Sequence, residues 1–113
     1  MHMKVSVTLF QQTGDMDKIQ IEEIENRDHF SYIDHQNCSC EITIQEKQFH
    51  LKRIASDHQM NLYLGESSYA QIETEEGKIY FETKTVDFNF NSDILVIRYI
   101  INDEERVIEI NYY

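Results

Sequence analysis

The residue types of a metal site occur together in one short stretch, where His35, Cys38 and Cys40 lie close in sequence and His50 follows. Zinc prefers thiolate and imidazole ligands. In a strand, however, residues two apart lie on one face, so Cys38 and Cys40 would share a face with the isoleucines that follow them. Free cysteine behaves as a small buried apolar residue. We therefore expect core cysteines rather than a metal site, and we expect no cofactor.

Carboxylate and imidazole side chains are adjacent at three positions: Asp28-His29, Asp34-His35 and Asp57-His58. A catalytic carboxylate orients its histidine through a hydrogen bond, whereas adjacent residues of a strand point to opposite faces. The chain also lacks the sequence motifs of serine hydrolases and zinc proteases, and three glycines are too few for a phosphate-binding loop. Carboxylates paired in space stay open as an alternative. We predict that the protein is not an enzyme and has no catalytic residues.

One charged side chain interrupts the apolar segment 94–101, and it is Arg98. If it pointed inward beside tyrosines, it would bind the carboxylate or phosphate of a ligand. If it pointed outward, it would pair with an acid on the next strand, such as Glu109, and this is the commoner arrangement. The hypothetical ligand site consists of Arg98, Tyr99 and Tyr80. Arg98 and Tyr99 cannot both face inward, because adjacent strand residues face opposite ways.

A period of two dominates the elements that would position these side chains, and such a period is typical of half-buried strands. Short turn segments separate the alternating runs, as in antiparallel hairpins. The pattern predicts an all-β fold, a single antiparallel up-and-down β-barrel of about eight to ten strands. The predicted strands lie near residues 4–11, 18–25, 29–34, 38–45, 49–54, 60–64, 69–74, 78–89, 94–101 and 106–112.

The two ends of the chain indicate how the sheet closes. Val5, Val7 and Leu9 open the sequence with a strand pattern, and apolar residues near 107–110 repeat that pattern at its end. The chain has no proline to blunt an exposed edge strand, and closure of the sheet protects edges most completely. We see no linker, so residues 1–113 form one predicted domain.

Charge and hydropathy exclude two classes of partner. The net charge is −11, with ten basic residues against twenty-one acidic ones, whereas nucleic-acid binding depends on Lys and Arg. The most apolar segment, 94–97, is far too short to span a bilayer, and the N-terminal alternation is unlike a signal peptide. We expect a soluble cytoplasmic protein that binds neither nucleic acid nor membranes.

The C-terminal half resembles a known family. The hairpin segment 74–83, followed by the strand 94–99, resembles the YwiB-like family of uncharacterised bacterial proteins. The matching positions are Thr74, Gly77, Ile79, Phe81, Thr83 and Tyr99.

The resemblance implies a calycin-like β-barrel, related in shape to lipocalins and fatty-acid-binding proteins, with no established activity. The chain has no tryptophan and so lacks the lipocalin signature. The barrel shape therefore carries over to this chain, and a ligand does not.

Two functions fit these features. The first is a binding protein for a small, largely apolar molecule held inside the barrel. The alternative is a structural or protein-interaction module whose barrel is filled by its own side chains. The sequence does not specify the oligomeric state.

Overall fold

The computed structural model describes residues Met3–Tyr113, and the predicted all-β fold is confirmed. The strands are β1 (Met3–Gln11), β2 (Met16–Ile24), β3 (His29–Ile33), β4 (Ser39–Gln45), β5 (Gln48–Ile54), β6 (Gln59–Gly65), β7 (Tyr69–Thr74), β8 (Gly77–Phe90), β9 (Ile94–Ile101) and β10 (Glu104–Tyr112). The described residues include no helix that could cross a membrane. The predicted strand bounds agree with the observed ones to within two residues.

The strands form one antiparallel sheet in the order β2-β1-β10-β9-β8-β7-β6-β5-β4-β3. The first and last strands of the chain pair with each other, since β1 runs antiparallel to β10 with Val5 opposite Tyr112 and Leu9 opposite Ile108. β8 is the corner of the sheet, because its first half pairs with β7 and its second half pairs with β9. The result is a nearly closed up-and-down barrel.

The barrel remains open along one line, between β2 and β3, which are the two edge strands. We call this line the seam. β2 and β3 are consecutive in sequence and are joined by residues 25–28. The sheet therefore begins and ends at neighbouring strands that are held together by their connection instead of by a ladder of hydrogen bonds.

The barrel has two ends, which differ in their turns. The closed end carries the connections 25–28, 46–47, 66–68 and 91–93. The open end carries the connections 12–15, 34–38, 55–58, 75–76 and 102–103.

Arg27 seals the closed end. Its guanidinium carbon lies 5.2 Å from the ring centre of Phe90 and 4.7 Å from that of Tyr112, within the range of cation–π attraction. The Arg27 Nη2 donates a hydrogen bond to the Ser92 carbonyl oxygen at 2.6 Å. The Tyr112 hydroxyl donates to the Arg27 carbonyl oxygen at 3.0 Å. These contacts hold the connection 25–28, which joins β2 to β3, against the closed end of the barrel.

Alternation along each strand directs every second side chain into the barrel. The predicted inward row on β4 is confirmed, because Cys40, Ile42 and Ile44 are all buried, as is Cys38 just before the strand. The largest fully buried side chains lie in the middle of the barrel and toward its closed end: Val5, Ile42, Phe49, Leu64, Leu95, Ile97, Ile108 and Ile110.

Candidate ligand-binding cavity

Side chains do not fill the interior where it approaches the open end. Two adjoining chambers lie there, one of about 200 Å³ and one of about 280 Å³. They share the side chains of Leu9, Leu51 and Met60 as walls. The smaller one lies against the seam and is called the seam chamber. The larger one lies against β6 to β10 and is called the main chamber.

The seam chamber contains an ion pair that is satisfied by the protein itself. The Arg53 Nε donates to the Asp34 Oδ2 at 2.7 Å, and the Arg53 Nη2 donates to the Gln36 side chain. Asp34 also accepts from the backbone N–H groups of Cys38 and Gln36. Burial alone would raise the pKa of Asp34, but these hydrogen bonds outweigh burial and lower it. The charges of Asp34 and Arg53 therefore balance each other.

Tyr32 and Cys40 stand beside this ion pair. Burial raises the pKa of the Cys40 thiol to about 11, and the nearby Asp34 carboxylate adds to the shift. Burial likewise raises the pKa of Tyr32 well above its usual range. Both groups stay protonated at neutral pH, so Cys40 lacks the thiolate that a nucleophile or a metal ligand requires.

His35 bridges the seam next to this chamber. Its Nε2 lies 2.9 Å from the backbone carbonyl oxygen of Lys18 on β2, at hydrogen-bonding distance. The same nitrogen lies 3.5 Å from Asp17 Oδ1. Since β2 and β3 are not paired by a ladder, this side chain is a contact between the two sides of the seam at the open end.

The main chamber is apolar except near its mouth, where Arg106 faces inward from β10. Arg106 is opposite Tyr99 in the strand register, and Ile108 follows it on the same face. The Arg106 Nε is buried and has no hydrogen-bond partner among residues 3–113. A buried donor left unsatisfied usually costs about 1–3 kcal/mol. Arg106, which lines the main chamber, thus keeps one donor without a partner among the described residues.

Two side chains adjoin Arg106. The Glu104 Oε2 lies 3.4 Å from the Arg106 Nη2, which is a long contact between partly exposed groups. Burial raises the pKa of Tyr99, and the neighbouring Arg106 offsets part of that effect. The Tyr99 hydroxyl therefore stays protonated at neutral pH and can donate a hydrogen bond.

The three residues of the predicted ligand site do not come together. Tyr99 is buried and lines the main chamber. Arg98 points to the outer face, where its Nη1 lies 2.7 Å from Asp87 Oδ2 and its Nη2 lies 2.8 Å from Glu105 Oε1. Tyr80 is 64% exposed on the outer face of β8. Arg98 thus adopts the outward, acid-paired arrangement, Arg98 and Tyr80 lie outside the cavity, and of the three candidates only Tyr99 lines it.

The partner proposed for an outward Arg98 also needs correction. Arg98 is opposite Val107 on β10, whereas Glu109 is opposite Val96. Arg98 reaches Asp87, which is directly opposite it on β8, and Glu105, which lies diagonally across β10. The register of the two ladders decided the pairing, and that register depends on turn lengths and on the bulge between Thr85 and Asp87.

The side chains considered for a metal site do not all lie together, because His35 and Cys40 line the seam chamber and His50 does not. Cys38 and Cys40 are buried as expected, while His50 lies on the outer face of β5. The His50 ring stacks on Tyr63 at 4.4 Å between centres, and its Nε2 lies 2.8 Å from the Asn61 Oδ1. Within residues 3–113, no three His, Cys, Asp or Glu side chains are grouped as metal ligands.

One of the Asp-His pairs does form a hydrogen bond, contrary to the strand argument. The His58 Nδ1 lies 2.8 Å from Asp57 Oδ1, because both residues belong to the turn between β5 and β6, where strand alternation does not apply. This hydrogen bond lowers the pKa of Asp57, which is exposed. The two chambers contain neither residue.

Sequence reasoning missed the two arginines that face the cavity. Arg53 continues the inward row of Phe49 and Leu51 on β5, and Arg106 begins the inward row of Ile108 and Ile110 on β10. The same period of two that identified the core would have placed both inside. Arg98 drew attention because it interrupts an apolar segment, although its neighbours on the same face are not the core row.

Comparison with known proteins supports the fold. No protein-family model matches the chain, and no curated protein sequence matches it either. Among solved structures, the chain is similar to the ywiB protein from Bacillus subtilis, with a TM-score of 0.63 and 12% sequence identity. The match covers 98% of this chain and 89% of that chain. At this identity the likeness shows a shared fold, and the barrel predicted from the sequence agrees with it.

Proposed function

We propose that the protein binds one small, largely apolar molecule in the two chambers at the open end of the barrel. The observation that carries this proposal is the uneven filling of the interior. Fully buried side chains fill the middle and the closed end, while chambers of about 200 and 280 Å³ adjoin at the open end. A protein that needed only a core would gain stability by filling this space.

The size and lining of the chambers indicate the kind of molecule. A cavity of ~150 Å³ already holds benzene, so these chambers suit a single molecule of roughly ten to twenty non-hydrogen atoms. Leu62, Ala70, Phe81 and Ile108 provide an apolar wall for the main chamber. In the main chamber polar groups are few and lie near the mouth, whereas the seam chamber also contains the Asp34–Arg53 ion pair. The proposed role is binding, without catalysis.

The experiment uses the neutral dye N-phenylnaphthylamine, whose fluorescence rises in apolar surroundings. We expect saturable binding at one dye per chain. Ala70→Leu adds bulk inside the main chamber, because Ala70 is buried in its wall, and we expect it to weaken the dye at least about tenfold by steric overlap. Gln71→Leu is the matched control, since Gln71 is the next residue along β7 and faces the other way.

The structural alternative makes the opposite prediction. If the barrel is only a core, the dye will show no saturable binding to the wild type, or Ala70→Leu and Gln71→Leu will bind it equally. Melting temperatures of both variants show whether each remains folded. Ile72→Phe, at the half-buried edge of the same chamber, is a second filling variant for the case in which Ala70→Leu does not fold.

Two finer inferences accompany this function. We infer that the chain is a distant, calycin-like member of the YwiB-like family, which is supported by the fold likeness over nearly its whole length and by the hairpin residues near Gly77. We also infer a cytoplasmic location, which is supported by two unpaired cysteines in the core. The net charge of −11 supports the inference that neither nucleic acid nor an anionic membrane surface is the partner.

A further inference from the structure

We propose that the ligand of the main chamber is a monoanion, an organic carboxylate or sulfonate with an apolar body, and that Arg106 binds its charged group at the chamber mouth. This inference rests on the proposed function, because it names the class of molecule that the same cavity would hold. It assigns Arg106 as the residue that decides between charged and neutral ligands.

The position of Arg106 suits this role. It lies on the inward face of β10, with Ile108 next on the same face and deeper in the barrel. The guanidinium therefore stands at the mouth, while the apolar wall of the main chamber lies behind it. A molecule with its charged group at Arg106 would extend its apolar body toward Leu62 and Ala70. Small-molecule sites commonly combine one such polar anchor with apolar walls.

The hydrogen-bonding state of Arg106 supplies the main argument. Its Nε is unpartnered within residues 3–113, its Nη2 lies 3.4 Å from the Glu104 Oε2, and its guanidinium interacts with the neutral Tyr99 hydroxyl, so no carboxylate pairs with it at short distance. A guanidinium binds the two oxygens of a carboxylate or sulfonate through parallel N–H donors. The Arg106 side chain is 37% exposed at the mouth, so the accessible edge of its guanidinium supplies such donors to a ligand, and the protonated Tyr99 hydroxyl beside it supplies another.

The other arginines near the open end are already engaged. Arg53 in the seam chamber is paired with Asp34 at 2.7 Å. Arg98 on the outer face is paired with Asp87 at 2.7 Å and Glu105 at 2.8 Å. Their charges are matched by carboxylates at short distance, whereas the nearest carboxylate contact of Arg106 is the long one to Glu104. Of these three arginines, Arg106 therefore offers a ligand anion the strongest attraction, because no carboxylate at short distance competes for it.

The net negative charge of the protein does not prevent this binding. Exposed carboxylates more than about 8 Å from a site are largely screened at physiological ionic strength. A contact between an anion and a partly buried guanidinium is screened much less. The acid that competes directly is Glu104, and its removal offers a test in the opposite direction.

The experiment compares two dyes that differ only by a sulfonate: anilinonaphthalene sulfonate and the neutral N-phenylnaphthylamine. Arg106→Gln removes the charge from the chamber mouth. We expect it to weaken the sulfonate dye at least about tenfold and the neutral dye less than about threefold, because only the former uses the charged donor. Arg98→Gln is the matched control, which removes the same charge from the outer face and should leave both affinities unchanged.

A second pair of variants keeps the test informative if Arg106→Gln does not fold. Glu104→Gln removes the carboxylate beside Arg106, and we expect it to tighten the sulfonate dye about two- to fivefold without affecting the neutral dye. Glu105→Gln removes the same charge from the outer face and should not reproduce this gain. If both variants bind the sulfonate dye more tightly by the same factor, the change in affinity comes from the net charge of the protein alone. That result would overturn the assignment of Arg106.

The outcomes separate the two proposals. If neither dye binds the wild type saturably, the proposed function fails and the ligand class fails with it. If the neutral dye binds in a way that depends on Ala70, but the sulfonate dye is rejected or is insensitive to Arg106→Gln, the cavity function stands and the anion assignment is overturned. A selective loss of the sulfonate dye in Arg106→Gln supports both.

Discussion

The two ends of this barrel are built from the same strands but differ in how tightly their inward side chains are packed. At the closed end, inward residues such as Phe49, Leu64 and Ile110 are fully buried, and Arg27 fastens the connection across the seam. At the open end, the outermost inward residues of the same strands, Arg53, Met60 and Arg106, are only half-buried and line two chambers. Packing at one end can hold the fold while the other end is left free for a ligand.

The difference also concerns polar groups. Arg27 at the closed end uses its guanidinium on a carbonyl oxygen and two aromatic rings. Arg106 at the open end keeps a buried donor without a partner. Natural proteins accept such local costs mainly where function requires them, and the rest of the structure offsets them. The comparison therefore predicts that stability is concentrated at the closed end.

The largest expected effect tests packing directly. Phe49→Ala at the closed end should destabilise the protein by about 3–5 kcal/mol, since Phe49 is fully buried and its removal leaves a cavity. Phe81→Ala, in the half-buried wall of the main chamber, should cost about 1 kcal/mol, because part of its area is already exposed. Urea denaturation monitored by circular dichroism measures both. Equal losses would mean that the two ends are packed alike.

The next effect compares two glycines with positive φ. Gly65 adjoins the connection 66–68 at the closed end, with φ +124°, and an added Cβ would meet the Lys47 carbonyl oxygen at 2.0 Å. Gly65→Ala should cost roughly 3 kcal/mol or more, because the backbone must shift. Gly14, in the β1–β2 turn at the open end, has φ +94° and open space around it. Gly14→Ala should cost about 1 kcal/mol, through conformational strain alone.

Melting temperatures of the two alanine variants give the readout. If Gly14→Ala lowered the melting temperature more than Gly65→Ala, the close approach of the Lys47 carbonyl to β6 would not contribute to the cost of the substitution. The tighter construction of the closed-end turns would then be unsupported.

The strands and the closure of the barrel could be predicted from the sequence, because alternation is a local property. The spacing of Val5, Val7 and Leu9 is enough to predict that they share the inward face of a strand. The same is true of Cys40 and Ile42. Closure of the sheet could be predicted as well, because both ends of the chain carry a strand pattern and no proline blunts an edge strand.

The candidate site could be predicted only in part. Alternation showed that Arg98 and Tyr99 must face opposite ways but not which of them faces inward, and the partner of Arg98 depends on register and on a bulge in β8, which alternation does not specify. The inward arginines were visible in the pattern, yet the unsatisfied Nε of Arg106 was not. Whether a buried donor finds a partner depends on where side chains from three strands meet. That is a property of the assembled barrel.

A smaller effect concerns Cys40, which lies between the packed core and the seam chamber. Cys40→Ser should destabilise by about 1–3 kcal/mol, because a poorly satisfied hydroxyl is buried; the Cys40 sulfur lies 3.8 Å from the Asp34 Oδ2 and the Cys38 carbonyl oxygen. The folded-state pKa of this thiol is raised to about 11. Its contribution to stability is therefore complete below about pH 9 and is lost as the pH rises toward 11.

Denaturation at neutral pH and at about pH 10.5 separates the two effects. The wild type should lose stability over this range, and Cys40→Ser should lose less, since serine does not titrate. Tyr32 also has a raised pKa and contributes a remaining alkaline loss in both proteins. If Cys40→Ser has the same free energy of unfolding as the wild type at both pH values, the Cys40 thiol must be in contact with solvent.

The smallest effect on stability is expected at the residue with the largest proposed role in binding. Arg106→Met removes a buried donor that has no partner and a long contact to Glu104, so we expect no loss, or a gain of up to about 1 kcal/mol. Arg53→Met is the matched comparison in the neighbouring chamber. It leaves the partly buried Asp34 without its 2.7 Å partner and should cost about 2–3 kcal/mol, less than a fully buried pair would lose.

This last pair distinguishes an arginine that stabilises the fold from one that is retained for a ligand. Thermal and urea denaturation of both methionine variants, each without added ligand, provide the measurement. If Arg106→Met destabilises the protein as strongly as Arg53→Met, the guanidinium of Arg106 must make stabilising contacts in the free protein. The argument that its donors are available to an anion would then be lost, whatever the dyes show.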